Sequence, residues 1–453
     1  MRTSTQTEQE KINDSYHSIR KNESTRLKSI RKDILNSNYG LCTQKASLMT
    51  EYFLKESKNN PLSLFSKIHF NFYCNSLKKS QKEIAPKKWQ VLLNKSIAQQ
   101  IIKNESLTKG ETQIHFAKAL EYTLNKMELK VYDHELIVGN LSSTRVGAPI
   151  HPDLGGLLMF PELDTLSTRK QNPIKTTPEQ IKELKEKIFP YWFNRSVLAR
   201  TQAYSKNLDL FKTMLEGNFY LLTQFSGISH VTPYYESVIK LGLNGILSEV
   251  KEKINSIQLK LKKSKSKKLE EKLKFYTASQ IVTQSSIKYA NRWALHLEKE
   301  SINEKNLTRK KELINLSNIF KNIPQMPARS FHEALQSMFI AHVILHQENF
   351  QHGISLGRID QILFPYYEKD IKNGVITKEQ AIELMGCFIA KTGELLPLFF
   401  DKATEYFSGL SSASGITIGG TDQDGNDSSN ELSHIILLAY DQLRLRQPNL
   451  HAR

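Results

Sequence analysis

The sequence predicts an α/β fold dominated by helix, and three kinds of pattern support this prediction. Apolar residues recur every three or four positions in several stretches, helix-capping sequences precede some of them, and short apolar runs ending in glycine alternate with them. With 453 residues, of which 39% are hydrophobic, the chain can form a substantial core. No internal repeat or clear domain boundary divides the sequence.

The N-terminal half contains helical patterns and one short apolar run. Residues 1–110 are typical of helices joined by polar loops. The run 131–139 is closed by glycine and predicts a buried strand or loop. Thr177-Pro-Glu-Gln180 has the spacing of a capping box with proline in the first turn, so we expect a helix there that ends near Phe189-Pro190.

The C-terminal half contains further elements of both kinds. They are a long helical segment at 248–297, an amphipathic helix at 331–345, a capped helix from Thr377, a strand at 415–420 ended by glycines, and a helix through Leu443 capped by Ser428-Ser-Asn-Glu431. The closing residues 447–453 indicate the start of another element.

The formal net charge of +17 raises the question of an anionic partner, such as nucleic acid or a membrane surface. The densest basic run, Lys260 to Lys268, has no aromatic side chain to stack on a base, and carboxylates flank it. We therefore expect a solvated helix or insertion in preference to a binding patch, with no membrane partner and nucleic acid disfavoured.

Targeting and redox signals are sparse. No apolar run reaches the roughly 18 residues that span a bilayer, and the N-terminus lacks the apolar segment of a secretory signal. Cys42, Cys74 and Cys387 are spaced too widely for a disulfide framework or a zinc site. A location in the reducing cytoplasm is the simplest interpretation.

Three motifs match known sites in part, and each fails on its context. Gly353-Ile-Ser-Leu-Gly357 has the spacing of a hydrolase nucleophile elbow, but a predicted helix precedes it where a strand is needed. Asp422 to Glu431 has the carboxylates of a calcium loop at the wrong spacing and predicts an Asp-Gly turn before a helix cap. His332-Glu333 begins a zinc motif, but Gln336 replaces the second histidine. Neither a P-loop nor a dinucleotide fingerprint occurs, so metal and nucleotide chemistry are unsupported.

The remaining cysteines and histidines have ordinary structural interpretations on pattern alone. Cys387 lies in an apolar predicted helix and the other cysteines have no neighbouring base, so all are expected to be structural. His342 lies on the apolar face of its helix and is expected to be a core histidine. His230 and His352 lie in polar loops, where solvent exposure is the default expectation.

A series of segments resembles the pyruvate formate-lyase domain of glycyl radical enzymes. In order they are 134–139, 161–169, 190–192, 227–230 with Tyr235, 238–242, 327–336, 357–361, 365–370, the glycine turn at 419 and Gln447-Pro-Asn-Leu450. Each is weak alone, but their order and their spread over nearly the whole chain after about residue 25 make the resemblance specific. It is closer to the dehydratase and lyase branch than to pyruvate formate-lyase proper.

The resemblance implies a fold of two antiparallel half-barrels surrounded by helices. We expect a poorly ordered tail at 1–25, followed at 26–453 by the N-terminal part of the barrel, an antiparallel half-barrel surrounded by many helices and predominantly helical. The implied reaction cleaves a C–O, C–N, C–S or C–C bond of a small polar metabolite after hydrogen abstraction by a thiyl radical. A buried, dry interior protects such a radical.

The resemblance also implies partners and site residues. A partner activase with S-adenosylmethionine and an iron–sulfur cluster installs the glycyl radical, and no cofactor is expected to be bound in this chain. His230 and His352 occupy positions where related enzymes place substrate-contacting groups. Gly353 stands where dehydratase relatives have serine, and Tyr234 where many members have aspartate, which argues against a simple diol or amine substrate.

The loops that carry the reactive cysteine and the radical glycine in this family are not found. Gly386-Cys387 is followed by Phe388 instead of a carboxylate-containing segment. We therefore expect a chain truncated before the cysteine loop, lacking the glycine radical domain and inactive alone, with a missing C-terminal half or a homodimer partner as candidate partners. The alternative is a non-catalytic remnant or a partner-binding protein, with a nucleic-acid-binding protein less favoured.

Overall fold

The computed structural model describes residues 23–56, 109–141, 144–193, 195–197, 230–349, 353–404 and 414–453. Helices dominate this part of the chain, which confirms the predicted class. The helices are α1 (Thr25–Asn36), α2 (Gln44–Glu56), α3 (Lys109–Lys126), α4 (Pro178–Glu183), α5 (Phe189–Trp192), α6 (Tyr235–Lys263), α7 (Lys267–Asn303), α8 (Leu307–Asn322), α9 (Phe331–Glu348), α10 (Ile359–Lys372), α11 (Lys378–Gly393), α12 (Asp401–Thr404) and α13 (Glu431–Leu443). The strands are β1 (Gly40–Cys42), β2 (Gly147–Pro149), β3 (Ile354–Arg358), β4 (Ser414–Ile418) and β5 (Asn449–Ala452).

Two parallel sheets are formed by the described strands. β1 pairs with β2, and β3, β4 and β5 pair in that order. Helix α10 packs on β3 and β4. Parallel strands are usually covered by helices in this way, because parallel sheets are buried on their faces. The resemblance implies two half-barrels that run antiparallel to each other. The parallel pairing found here is between strands of one sheet, so it does not test that expectation.

Strand β4 confirms the strand predicted at 415–420. Gly419 and Gly420 end it with φ of 69° and 89°, a backbone conformation that other residues rarely adopt. Residues 449–452 form β5 beside it, so the chain does begin a further element after Gln447.

The long helical segment predicted at 248–297 belongs to two helices. α6 ends at Lys263 and α7 begins after Ser266, whose hydroxyl accepts a hydrogen bond from the Leu269 N–H. The lysines of the 260–268 run are exposed around this turn, as expected for a solvated segment. On the inner side, Trp293 is fully buried and stacks on Phe320 of α8 with ring centroids 6.0 Å apart.

Helix α9 is the most buried long helix of the core. It confirms the predicted helix at 331–345 and packs against α6, α10 and α11. Its first turn is capped by the Ser330 hydroxyl, which accepts from the Glu333 N–H. The capping boxes predicted at Thr177 and Thr377 are also present.

The run 131–139, predicted as a buried strand or loop, is a loop, because Gln336 of α9 takes the place of a neighbouring strand and makes two hydrogen bonds of 2.8 Å with the backbone of Val138. Two predicted boundaries need correction. The helix at Thr177 continues to Trp192, because a wider π-helical turn at Leu184–Ile188 precedes Pro190 and accommodates its ring.

The cap of α13 also differs from the prediction, although its end at Leu443 is as predicted. Asn430 and Ser433 form the capping box in place of Ser428 and Glu431. Ser433 is held in place because its hydroxyl also donates to the buried carboxylate of Asp360 at 2.5 Å.

A buried ion cluster joins the 131–139 loop to α11. The Lys391 ammonium lies 2.9 Å from Glu135 Oε1 and 2.7 Å from Glu394 Oε2. Arg145 adds a third contact, with its Nε 3.0 Å from Glu394 Oε1. Because each charge has an opposite partner, the cluster holds the loop, β2 and α11 in one arrangement.

Helices in the described ranges include none that is long and apolar enough to cross a membrane. Residues 1–22 of the predicted tail lie outside the described residues, so the predicted domain limits stay predictions.

Candidate active site

The candidate site lies at the amino-terminal end of β3, where His230 meets the backbone of Gly353. The Ser355 N–H donates to the Val231 carbonyl at 2.9 Å, so the loop after His230 runs beside β3. A β-carbon on residue 353 would overlap the imidazole of His230, which therefore lies directly against the glycine. A side chain at position 353 would therefore require the His230 ring to move, and His230 keeps an exposed surface into which it could do so.

A buried chain of hydrogen bonds ends at the same edge of the sheet. The Tyr235 hydroxyl lies 2.7 Å from His342 Nδ1, and His342 Nε2 lies 2.9 Å from the Ser414 hydroxyl. Ser414 begins β4 and is the register partner of Ile354, the residue after Gly353. Burial, with a smaller contribution from His346, holds the pKa of His342 well below its usual value, so this imidazole is neutral near pH 7.

His346 lies one turn further along α9. Its ring packs edge-on against His342 with centroids 4.5 Å apart, and its Nδ1 lies 2.9 Å from the His342 carbonyl oxygen. A carbonyl can only accept, so Nδ1 carries the proton and Nε2 is a bare acceptor. Among the residues that the structure describes, this buried Nε2 has no hydrogen-bond partner. Burial lowers the pKa of His346 to about 4.

A lysine–aspartate pair and a fourth histidine lie where β1 and β2 end. The Lys45 ammonium donates to Asp153 Oδ1 at 2.8 Å and to His151 Nδ1 at 3.1 Å. Since an ammonium cannot accept, the His151 proton lies on Nε2. Burial is the largest cause that keeps the pKa of His151 well below its usual value, and Lys45 and His346 add smaller effects in the same direction.

Glu348 ends α9 and is a second acidic group near Lys45. Its side chain reaches solvent, yet enough protein surrounds the carboxylate that burial raises its pKa, while Lys45 acts in the opposite direction.

Together these groups can bind a small polar molecule and exchange protons with it. Neutral imidazoles both donate and accept hydrogen bonds, and a carboxyl with a raised pKa holds its proton to a higher pH than a solvated carboxyl does. Among the described residues, no group of three or more His, Cys, Asp or Glu side chains is placed to hold a metal ion.

The two predicted substrate-contacting histidines differ in what the structure describes. His230 is at the site, beside Gly353, whereas His352 lies outside the described residues, as does Cys74. The prediction that both histidines contact substrate therefore stays a prediction. His342 is fully buried, as expected of a core histidine.

The motifs set aside on sequence grounds have structural roles. Ser355 lies inside β3, where its hydroxyl accepts from the Gly357 N–H, instead of on a sharp turn. His332 Nε2 bonds the Leu136 carbonyl oxygen at 2.6 Å. Asp422 accepts from the N–H groups of Asp424 and Asn426 within its turn.

Lys45, His151, Asp153 and Ser414 were not identified from the sequence as site residues. No spacing pattern marks them, since they come from separate segments that only folding brings together. Tyr235 is part of a segment that carries the family resemblance, but the residues alone assigned it no role.

The fold is similar to solved structures of glycyl radical enzymes. A structure described as a glycyl radical enzyme from Archaeoglobus fulgidus matches with a TM-score of 0.76 and 30% identity, over 94% of this chain and 48% of that chain. A structure of 1,2-propanediol dehydration in Roseburia inulinivorans matches with a TM-score of 0.78 and 26% identity, over 95% of this chain and 47% of that one.

Sequence comparison indicates the same class of protein. An isethionate sulfite-lyase of Nitratidesulfovibrio vulgaris is 30% identical over 367 residues, which are 77% of this chain and 43% of the relative. A (2S)-3-sulfopropanediol dehydratase of Klebsiella oxytoca is 29% identical over 352 residues, 73% of this chain and 40% of the relative. The chain thus spans less than half the length of these relatives.

The fold and these likenesses define a protein of the glycyl radical enzyme type. The family model for pyruvate formate lyase-like proteins matches residues 71–453, so the chain belongs to the pyruvate formate lyase-like family. The resemblance found in the sequence is confirmed, including its closeness to dehydratases and lyases.

Proposed function

We propose that these 453 residues are the N-terminal part of a glycyl radical lyase or dehydratase that acts on a small polar metabolite. The observation that carries the proposal is the position of His230 against Gly353, at the sheet edge where the buried Tyr235–His342–Ser414 chain ends. Membership of the family and the lyase and dehydratase relatives support the reaction class. The bond cleaved is proposed to be C–O, C–N, C–S or C–C.

In this proposal His230 and His352 contact the substrate. An imidazole can accept a hydrogen bond from a substrate hydroxyl, or donate a proton to a leaving group. The neutral His342, bonded at both ring nitrogens, acts as a positioning residue that joins Tyr235 at the start of α6 to Ser414 at the start of β4. Its neutrality keeps charge out of an interior from which a radical reaction must exclude water.

Gly353 influences which substrate would fit. Relatives of the dehydratase type have serine at the position of Gly353. In this chain the His230 ring occupies the space that a side chain at position 353 would fill. A polar substrate group would therefore meet an imidazole there instead of a hydroxyl. This favours a substrate other than a simple diol, and a sulfonate such as those named for the relatives is the first class to test.

The described cysteines do not fit the role of the radical-bearing thiol. The resemblance implies that this thiol lies on a loop, whereas Cys387 lies within α11 and Cys42 within β1. The resemblance implies that a glycyl radical, installed by an activase, supplies hydrogen abstraction through a cysteine. We propose that this cysteine and glycine come from a further, C-terminal part of the protein, in the reducing cytoplasm.

The experiment is to sequence the gene across and beyond codon 453, express the full product with an S-adenosylmethionine-dependent activase without oxygen, and record the EPR spectrum. A glycyl doublet, followed by turnover of isethionate, sulfopropanediol or hydroxyproline, supports the proposal. His230→Ala and His352→Ala should then leave the doublet intact and abolish turnover. No doublet, in a preparation where a known relative is activated alongside, contradicts it.

A further inference from the structure

Helices α7 and α8 form an antiparallel pair whose outer side carries four large exposed aliphatic residues. Leu295 and Ile302 of α7 are 67% and 71% exposed, and Leu307 and Ile314 of α8 are 76% and 44% exposed. Leu295 and Ile302 are seven residues apart on α7, and Leu307 and Ile314 are seven residues apart on α8. Seven residues are about two helical turns, so the two residues on each helix form one stripe along it. We call the four residues the apolar groove.

The two stripes border the same groove. The Ser317 hydroxyl donates to the Ala294 carbonyl at 2.9 Å, which sets the register of the two helices and brings the stripes to the same level. Lys321 continues the α8 stripe, and its ammonium lies 3.5 Å from Glu298, which is on the α7 stripe between Leu295 and Ile302. This contact shows that the stripes face each other across the outside of the helix pair.

The opposite sides of α7 and α8 pack into the core of the protein. Trp293 and Leu297 of α7, with Leu316 and Phe320 of α8, are buried in the core. The four groove residues therefore add nothing to that core and expose on the order of a few hundred Å² of apolar surface, which in monomeric proteins often marks an interaction site.

The border of the groove is positively charged. Lys299, Lys310 and Lys311 lie beside the four aliphatic residues, and none of these three forms an ion pair within the described residues. Among the nearby carboxylates, Glu298 pairs with Lys321 and Glu312 pairs with Arg309. Glu304, in the turn between the two helices, accepts a hydrogen bond from the Asn306 N–H at 2.7 Å, so one carboxylate without an ion pair in the described ranges stands against the three lysines.

We propose that the apolar groove is a docking site for an amphipathic helix of another protein, one whose apolar stripe is bordered by carboxylates. An antiparallel helix pair with apolar residues at this spacing can receive a third helix along its groove, and the lysines would pair with the partner's carboxylates. A second copy of this chain is disfavoured, because it would bring the same lysines together on a protein of net charge +17. The proposal does not depend on the proposed enzymatic function.

The test uses two labelled helical peptides of about 20 residues with the same Leu/Ile stripe, one flanked by Glu and the other by Lys. Fluorescence anisotropy with the 453-residue chain should show binding of the Glu peptide, weakened by salt, and no binding of the Lys peptide. The double variant Ile302→Ser, Leu307→Ser should lower the affinity for the Glu peptide by at least about tenfold. Leu259→Ser, which changes a 60% exposed leucine of α6, is the matched control and should change nothing.

Charge reversal makes the test specific. Lys310→Glu with Lys311→Glu should reduce binding of the Glu peptide and create binding of the Lys peptide. All these positions are accessible, and circular dichroism checks that each variant remains folded. Equal binding of both peptides, absence of Glu-peptide binding, or no loss in the double serine variant would overturn the proposal. So would sedimentation showing a dimer of the chain that the double serine variant abolishes, which would identify a second copy as the occupant.

Discussion

Replacing Lys391 by methionine should destabilise the protein strongly, because two buried carboxylates depend on its ammonium. Lys391, Glu135 and Glu394 are 2%, 1% and 1% exposed, and the ammonium contacts both carboxylates within 2.9 Å. Methionine keeps most of the side-chain volume, so the change removes the charge with little change in packing. Breaking a buried ion pair by removing one partner costs about 3–5 kcal/mol. We expect about 4 kcal/mol, since Arg145 still contacts Glu394.

The loss should depend on pH in a defined direction. Burial already raises the pKa of Glu394 above 4.5, and Lys391 is the largest influence that opposes this rise. Without Lys391 the folded-state pKa rises further, so the folded variant binds more protons than the unfolded chain at pH values between the two pKa values. Stability then falls as pH rises through that window. The deficit of Lys391→Met relative to wild type should therefore be larger at about pH 8 than at about pH 5.

Urea unfolding followed by circular dichroism at both pH values measures this deficit. The control is Lys372→Met, which removes an exposed lysine that pairs with Glu368 at 3.0 Å and should change the free energy of unfolding by less than about 0.5 kcal/mol. Glu135→Gln and Glu394→Gln in the Lys391→Met background should recover much of the loss. The reasoning is refuted if Lys391→Met and Lys372→Met cost the same, or if the Lys391→Met deficit grows on acidification.

Three further predictions concern the site and the thiols. Tyr235→Phe should cost about 1–3 kcal/mol in urea unfolding, because it leaves the buried His342 Nδ1 without its hydroxyl partner, whereas Tyr234→Phe at a 71% exposed position should cost nothing measurable. Burial lowers the pKa of His346 to about 4 from 6.5, so the unfolded chain binds a proton that the folded chain does not, and stability falls as pH drops through this range. His346→Gln should remove about 3 kcal/mol of that acid loss, and an unchanged pH profile would contradict this. Cys387, with its pKa raised by burial to about 12, should resist iodoacetamide at about pH 8 until urea is added, which mass spectrometry of the labelled peptides will reveal.

Local patterns in the sequence were sufficient to predict the class and many of the elements. The apolar spacing along α9, the capping boxes at Thr177 and Thr377, and the glycines that end β4 each involve neighbouring residues. Such features depend on periodicity and backbone preference, which are properties of a short segment. The wrong cap of α13, in contrast, was decided by a distant group, the buried Asp360 that holds Ser433.

The sequence by itself thus determined the helical class, the family resemblance and the identity of His230 as a site residue to examine. Only the tertiary structure decided that Tyr235, His342 and Ser414 form one hydrogen-bonded chain, since the first two are 107 residues apart and the last two are 72 apart. The same holds for the apolar groove, whose stripes look like ordinary exposed positions on each helix taken alone. Contacts between distant segments leave no periodic trace in the sequence, because they depend on how whole elements pack against one another.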